Sequence, residues 1–232
     1  MRKLYVVPII HTGADLGTLA TGIDRIGNSI LGEDFWLRHK GVVVGFWDSI
    51  TSFLNSLSVA SFKLYQDGLM ADGEIGMRIV EQGVKDGSKN YQLIARMLDK
   101  GAILVRTEDL TLVKKEYYLI KKVVEAKSEA EVVAASTEFK LAARKLLSDR
   151  DNYIAQRIKQ TLDDCETGVL FIGAYHDVIP LLPQDIAVRE VKETEKVREY
   201  HSLLSDLRRN ESRFEELGKY LIAAVDLAVI RG

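Results

Sequence analysis

The sequence is poor in cysteine and proline, and the scarcity of each residue excludes certain kinds of site or domain organisation. Cys165 is the single cysteine among 232 residues, which excludes an internal disulfide and a metal site built from thiolates alone. One unpaired cysteine is typical of a reducing compartment, so we expect a cytoplasmic protein. Only three prolines occur, and no low-complexity linker or internal repeat divides the chain. We therefore expect a single α/β domain over residues 1–232.

An excess of charge of either sign is also missing. Lys and Arg number 32 against 34 Asp and Glu, and a formal net charge of -2 does not attract the chain to a phosphate backbone. Nucleic acid is therefore not an expected partner. A membrane segment is not expected either. The most apolar stretch of spanning length, residues 41–60, contains Asp48 and several other polar side chains, whereas a span needs about 20 mainly apolar residues.

Five short segments rich in β-branched and aliphatic residues predict strands. They are residues 4–10, 62–66, 102–106, 169–172 and 186–191. Near-continuous apolar strands are typical of parallel sheets that are buried on both faces. The predicted fold is therefore α/β, with a mainly parallel sheet of about five strands and helices on both faces.

The segments between the predicted strands have the pattern of helices. We expect two helices in residues 15–57, two in 73–100 and a long pair in 111–162. Ser128 followed by Glu131 has the spacing of a capping box and predicts a helix start. Apolar stripes after residue 193 predict long C-terminal helices.

Polar side chains follow four of the predicted strands directly. They are His11 after the first strand, Asp67 after the second, Glu108 and Asp109 after the third, and His176 after the fourth. Ligands of open α/β sheets bind beyond the carboxyl ends of the strands, and imidazoles with carboxylates suit a metal site or general acid–base catalysis. We expect His11 and His176 to share a functional site, with Asp67 and Glu108 as further metal ligands.

Each of these residues also has a simpler interpretation. A histidine after a strand is often only a hydrogen-bonding residue, and an acid there often caps the helix that follows. Asp109 precedes a predicted helix and could be such a cap, which leaves Glu108 as the better ligand. His39 and His201 stand in helical, charged surroundings, and we expect both on the surface.

Arg150 falls on the apolar stripe of its predicted helix, in line with Leu147 and Ile154. A buried guanidinium needs a carboxylate or a bound anion as its partner. We therefore expect Arg150 to reach Asp67 or Glu108, or an anion bound at the same edge of the sheet.

Taken in order, these residues resemble the TraB, Tiki and erythromycin-esterase-like superfamily over roughly residues 4–190. That superfamily has a GxxH motif after the first strand, acidic residues in the middle, an arginine on a helix and a second GxxH motif. Residues 173–176, GAYH, match the second motif fully, and residues 150–155, RDNYIA, are similar to the helix before it. Gly101 and Ala102, leading into Glu108, are similar to the central strand.

The sequence departs from the superfamily pattern at two positions. Pro8 replaces the glycine of the first motif, three residues before His11, and Asp67 stands where a glutamate is expected.

The resemblance implies a divalent-metal-dependent hydrolase of a peptide or ester bond. It assigns His11, His176, Asp67 and Glu108 as metal ligands or as bases for water, and Arg150 as the residue that orients the substrate and stabilises an oxyanion. The alternative is a non-catalytic regulatory protein of the same fold that binds a small molecule or peptide, which the altered first motif favours. In both cases the apolar stripes of the long helices predict a homodimer.

Overall fold

The protein is described by a computed structural model over residues 1–11, 20–204 and 210–226. The strands in these ranges are β1 (Arg2–Ile9), β2 (Lys63–Gln66), β3 (Ile103–Val105), β4 (Thr167–Gly173) and β5 (Ile186–Glu190). They form one all-parallel sheet in the order β3-β2-β4-β1-β5. The predicted α/β fold is confirmed, and each strand lies within two residues of its predicted ends.

Eight α-helices lie in the same described ranges. They are α1 (Ala20–Leu31), α2 (Glu33–Asn55), α3 (Gly73–Lys85), α4 (Lys89–Asp99), α5 (Leu110–Glu125), α6 (Glu129–Thr161), α7 (Thr194–Leu203) and α8 (Glu211–Ile222). The predicted helix pairs and C-terminal helices are confirmed. Ser128 Oγ accepts a hydrogen bond from Glu131 N at 3.3 Å and caps α6 as predicted. None of the described helices combines the length and apolar character needed to cross a bilayer.

Both faces of the sheet are buried, which explains why its strands are largely apolar. One face packs against α2, α4, α7 and α8, and the other packs against α6. Alternate residues of β1 divide between them, with Val7 on the first face and Val6 on the second. Burying one large apolar side chain fully stabilises the fold by roughly 1.5–3 kcal/mol, so an interior that covers both faces holds the sheet firmly.

The strand order determines which loops meet. Because all five strands are parallel, the residues that follow them lie along one edge of the sheet, here called the carboxyl-end rim. Along this rim the residues after β3, β2, β4 and β1 run in the order Glu108, Asp67, His176 and His11. Four residues that are far apart in the sequence are thereby brought to one edge of the sheet.

Candidate functional site at the carboxyl-end rim

A tight turn after β2 places Asp67 beside Glu108. Leu69 N donates to Gln66 O at 3.0 Å, and Gly68 within the turn has a φ of 77°, a conformation that glycine adopts without steric cost. Leu69 O then accepts a hydrogen bond from Glu108 N at 3.0 Å. This hydrogen bond joins the loop after β2 to the loop after β3, so the carboxylates of Asp67 and Glu108 lie close together.

The second GxxH motif forms a compact turn after β4. Gly173 N donates to Asp67 Oδ2 at 3.0 Å, and His176 N donates to Gly173 O at 3.0 Å. A Cβ atom at position 173 would lie 3.1 Å from Asp67 Oδ2 and 3.5 Å from His176 Cδ2. The glycine of the motif is therefore needed for close approach of the backbone to the Asp67 carboxylate.

Replacing Gly173 by alanine should destabilise the protein by about 1–3 kcal/mol, because the new methyl group crowds the Asp67 carboxylate. Gly41→Ala is the control, since Gly41 lies in α2 with open space around it and should gain about 0.5–1 kcal/mol in stability. Urea unfolding of both variants measures the difference. Equal stability of the two variants would contradict the packing of the GxxH turn.

Arg150 lies at the centre of the acidic residues. Its Nη2 lies 2.5 Å from Asp67 Oδ1, its Nε and Nη2 engage both oxygens of Glu108, and its Nη1 contacts Glu116. The Arg150 side chain is only 5% exposed. The predicted contact with Asp67 or Glu108 is confirmed, and Arg150 in fact reaches both acids. A lysine could not make all of these contacts, because only a guanidinium offers several nitrogens in one plane.

Glu116 is a member of this cluster that the sequence reasoning missed. It lies on α5. Val113 precedes it by three residues and Leu119 follows it by three, and both belong to the partly buried stripe of that helix. A charged residue within an apolar stripe is the same signal that singled out Arg150, and it would have identified Glu116 as well.

Asp151 is the second missed residue, and it orients His176. Its Oδ1 lies 2.5 Å from His176 Nδ1, and its Oδ2 accepts from Asp177 N at 3.0 Å. The other ring nitrogen, Nε2, lies 3.6 Å from Asp67 Oδ2. Neighbouring residues on a helix point in different directions, so Arg150 reaches the acids while Asp151 reaches the imidazole.

The pKa values of the cluster reflect burial and close charges. Burial raises the pKa of Glu108 to about 7, although its hydrogen bond with Arg150 opposes that shift. Burial would also raise the pKa of Asp67, but the charges of His176 and Arg150 outweigh it and lower this pKa overall. Burial opposes protonation of His176, yet the charge of Asp67 and the hydrogen bond with Asp151 raise its pKa above the ordinary value.

Among the described residues of this cluster, negative groups outnumber positive groups. Four carboxylates, those of Asp67, Glu108, Glu116 and Asp151, surround the Arg150 guanidinium and the His176 imidazole. Buried negative charge that is not neutralised is costly, so the arrangement favours a further cation or a bound proton.

Three of these residues offer ligand atoms that suit a metal ion. One atom each from Asp67, Glu108 and His176 lie within 4.8 Å of one another. Carboxylate oxygens with an imidazole nitrogen match the donors that divalent transition metals take in proteins, and three protein ligands leave a position open for water. Arg150 contacts both carboxylates, so an ion would compete with the guanidinium for their oxygens.

His11 lies on the same rim but outside this group of three. β1 and β4 are neighbours with Ile9 opposite Gly173, so the prediction that His11 and His176 lie on one edge of the sheet is confirmed. His11 itself is exposed, and its sharing of a ligand with His176 stays a prediction. Asp109 caps α5 by accepting from Thr111 N at 2.8 Å, which confirms the capping interpretation of that residue.

The expectation that His39 and His201 lie on the surface is wrong. His39 is 6% exposed, and its Nδ1 lies 3.0 Å from the Tyr200 hydroxyl. His201 is half-buried in α7. Burial lowers the pKa of both histidines to about 4. Their charged sequence neighbours misled the prediction, because the His39 side chain points inward to Tyr200 of α7.

Burial of His39 should make the protein sensitive to mild acid. A folded-state pKa below the ordinary value of 6.5 means that its stabilising effect is complete above pH 6.5 and is lost as the pH falls towards 4. The loss is on the order of 3 kcal/mol for His39. Unfolding free energies between pH 4 and 7 should therefore fall less steeply in His39→Gln than in the parent. Parallel pH profiles would show that His39 does not titrate in this way.

The comparisons with known proteins give no relative for this chain. No family model, curated protein or solved structure matches it. The superfamily resemblance therefore rests on the sequence pattern alone and stays a prediction.

Proposed function

We propose that the chain is a divalent-metal-dependent hydrolase of a peptide or ester bond, with Asp67, Glu108 and His176 as its metal ligands. The observation that supports this proposal is the buried cluster in which their ligand atoms lie within 4.8 Å of one another. The excess of carboxylate around one guanidinium and one imidazole supports a cation there.

Asp151 is the positioning residue for His176 in this proposal. Histidines that bind metals usually donate their other N–H to a carboxylate, which fixes the tautomer and the ring orientation. Asp151 offers such a carboxylate to Nδ1, and Nε2 is then the nitrogen that faces Asp67 and remains available for an ion.

A divalent ion held by these residues would polarise the substrate carbonyl and lower the pKa of a bound water. His11 is exposed on the same rim, from which it would hydrogen-bond to a substrate on the solvent side. Arg150 holds Asp67, Glu108 and Glu116 in position. The substrate-orienting role that the resemblance implies for Arg150 requires it to release one of these acids.

One observation favours the alternative, a non-catalytic regulatory protein that binds a small molecule or peptide at the rim. Each guanidinium nitrogen of Arg150 already contacts a carboxylate, and the Glu108 side chain has no exposed surface. In that case the cluster would be structural, and only the exposed part of the rim around His11 would meet a ligand.

Turnover measured with and without metal separates the two functions. Protein stripped with a chelator would be assayed on a panel of fluorogenic peptides and aryl esters after addition of Zn²⁺, Mn²⁺ or Mg²⁺. We expect turnover that needs the ion and is lost in His176→Ala, while His39→Gln, altered away from the rim, keeps it. An ion that binds without turnover of any substrate would favour the non-catalytic protein.

Homodimerisation in the cytoplasm is the remaining part of the proposal. Large apolar side chains are exposed on the α5–α6 pair, among them Tyr118 at 57%, Val133 at 63% and Leu141 at 81%, and such surface is typical of contact between subunits. Sedimentation at micromolar concentration should give the mass of two chains. A mass of one chain would remove this part of the proposal.

A further inference from the structure

A cavity of about 220 Å³ lies beside the GxxH turn and is not explained by the metal cluster. Ile172 of β4, Val178 and Ile179 form part of its apolar wall, and Thr194 and Arg198 of α7 lie on its polar side. His176 borders it as well. One residue therefore belongs to both the cluster and the cavity.

The size of the cavity indicates what it could hold. Sites that take a whole drug-sized molecule usually measure about 300–1,000 Å³. At about 220 Å³ this cavity lies below that range, so it matches a single large side chain better than a complete ligand. Its apolar wall favours a hydrocarbon group.

The polar atoms around the cavity restrict the ligand further. Thr194 lines the cavity, and its Oγ1 is buried without a hydrogen-bond partner in the described part of the chain. A group in the cavity could satisfy this hydroxyl once the side chain turns towards it. Asp177, Glu190 and Glu195 also line the cavity. Arg198, which also lines the cavity, already pairs with Glu195. An acidic group is therefore disfavoured there by like charge.

Arg198 links the cavity to the cluster. Its Nε donates to Ala174 O at 3.0 Å, and its Nη2 lies 3.5 Å from His176 O. The α7 wall of the cavity is thus fixed to the turn that presents His176. A group in the cavity would lie next to His176, and the rest of the same molecule would extend to the rim.

We propose that this cavity is a substrate subsite that receives one bulky apolar side chain of a peptide or amino-acid ester and rejects an acidic side chain. The part of this inference that concerns the bond cleaved rests on the proposed hydrolase function. Binding of the side chain itself does not, so the two can be tested apart.

The test compares two tryptophan variants of the short 3-10 turn at Ile179–Leu181. Ile179→Trp fills the cavity, whereas Leu181→Trp is the matched control, because Leu181 is 45% exposed and does not line the cavity. The binding probes are N-acetyl-leucine amide and N-acetyl-glutamate amide, followed by NMR chemical shifts of backbone amides around residues 172–179. Thr194→Val, which replaces the hydroxyl by a methyl group of similar size, is a third variant should Ile179→Trp fail to fold.

The parent and Leu181→Trp should bind the leucine probe and not the glutamate probe, and Ile179→Trp should lose binding. Thr194→Val should weaken it. In the turnover assay, kcat/KM should favour leucine over glutamate peptides by about tenfold or more, and Ile179→Trp should remove that preference.

Binding of the leucine probe without turnover of any substrate would support the subsite and contradict the hydrolase function. Turnover without preference for leucine over glutamate peptides, with the same kcat/KM in Ile179→Trp and Leu181→Trp, would contradict the subsite and support the hydrolase function.

Discussion

Replacing Arg150 by leucine should lower the free energy of unfolding by about 3–5 kcal/mol, because it leaves buried carboxylates without their counter-ion. Leucine suits the apolar stripe of α6, so the loss comes from the stranded acids and not from a poor fit of the new side chain. Asp67 and Glu108 are the acids most affected, with 12% and 0% of their side chains exposed. The melting temperature should fall by roughly 6–20 °C, measured by calorimetry together with urea unfolding.

Two variants control for charge and for position on the helix. Arg150→Lys keeps the charge but loses the planar guanidinium, so its stability should lie between those of the parent and the leucine variant. Arg144→Leu alters an exposed arginine on the same helix and should change stability by less than about 0.5 kcal/mol. Equal stability of Arg150→Leu and Arg144→Leu would show that the cluster does not need its guanidinium.

The affinity for a divalent metal ion should rise when Arg150 is replaced by leucine, although the stability of the protein falls. The guanidinium and an ion compete for the oxygens of Asp67 and Glu108, so Arg150→Leu should bind a divalent ion more tightly than the parent does. The ion should then raise the melting temperature of the variant more than that of the parent, because a ligand stabilises the folded state it binds. The same or a smaller shift in the variant would mean that the ion binds elsewhere.

The second large effect is expected from Asp151→Asn. The Asp151 carboxylate accepts from both His176 and the Asp177 backbone, and an amide at this position must turn an NH₂ group towards one of those donors. The imidazole should then lose its preferred tautomer, with a fall in metal affinity of about 10–100-fold and a loss of turnover at least as large. Calorimetric titration with Zn²⁺ or Mn²⁺ measures the affinity.

Asp149→Asn is the matched control for this variant. Asp149 lies two residues earlier on α6 and pairs with Lys145 at the surface, where ion pairs contribute little to stability. It should behave as the parent does in both assays. Parent-like metal affinity in Asp151→Asn would show that the tautomer of His176 is irrelevant to binding.

Much of the fold could be predicted because its strands have a clear apolar pattern. A parallel sheet covered on both faces needs apolar side chains at every position, and β1 and β4 have this pattern over most of their length. The candidate residues of the rim followed from the same logic, since parallel strands bring their carboxyl ends together. Burial also predicted that Arg150 needs an acid as its partner.

The missed parts depend on details that the sequence pattern does not contain. Whether Asp151 or Arg150 faces His176 depends on the rotation of α6 about its axis to within one residue. Whether His39 faces Tyr200 or solvent depends on how α2 packs against α7. The cavity arises only where α7 meets the GxxH turn, and neither segment alone has a signal for it.

Metal binding by the purified protein tests the central claim most directly. The chain, stripped of ions and then titrated with Zn²⁺ and Mn²⁺ in a calorimeter, should bind one ion per chain. Asp67→Asn and His176→Ala should each lose this binding, while His39→Gln should retain it. Absence of binding in the parent, or equal binding in all four proteins, would contradict a metal site formed by Asp67, Glu108 and His176.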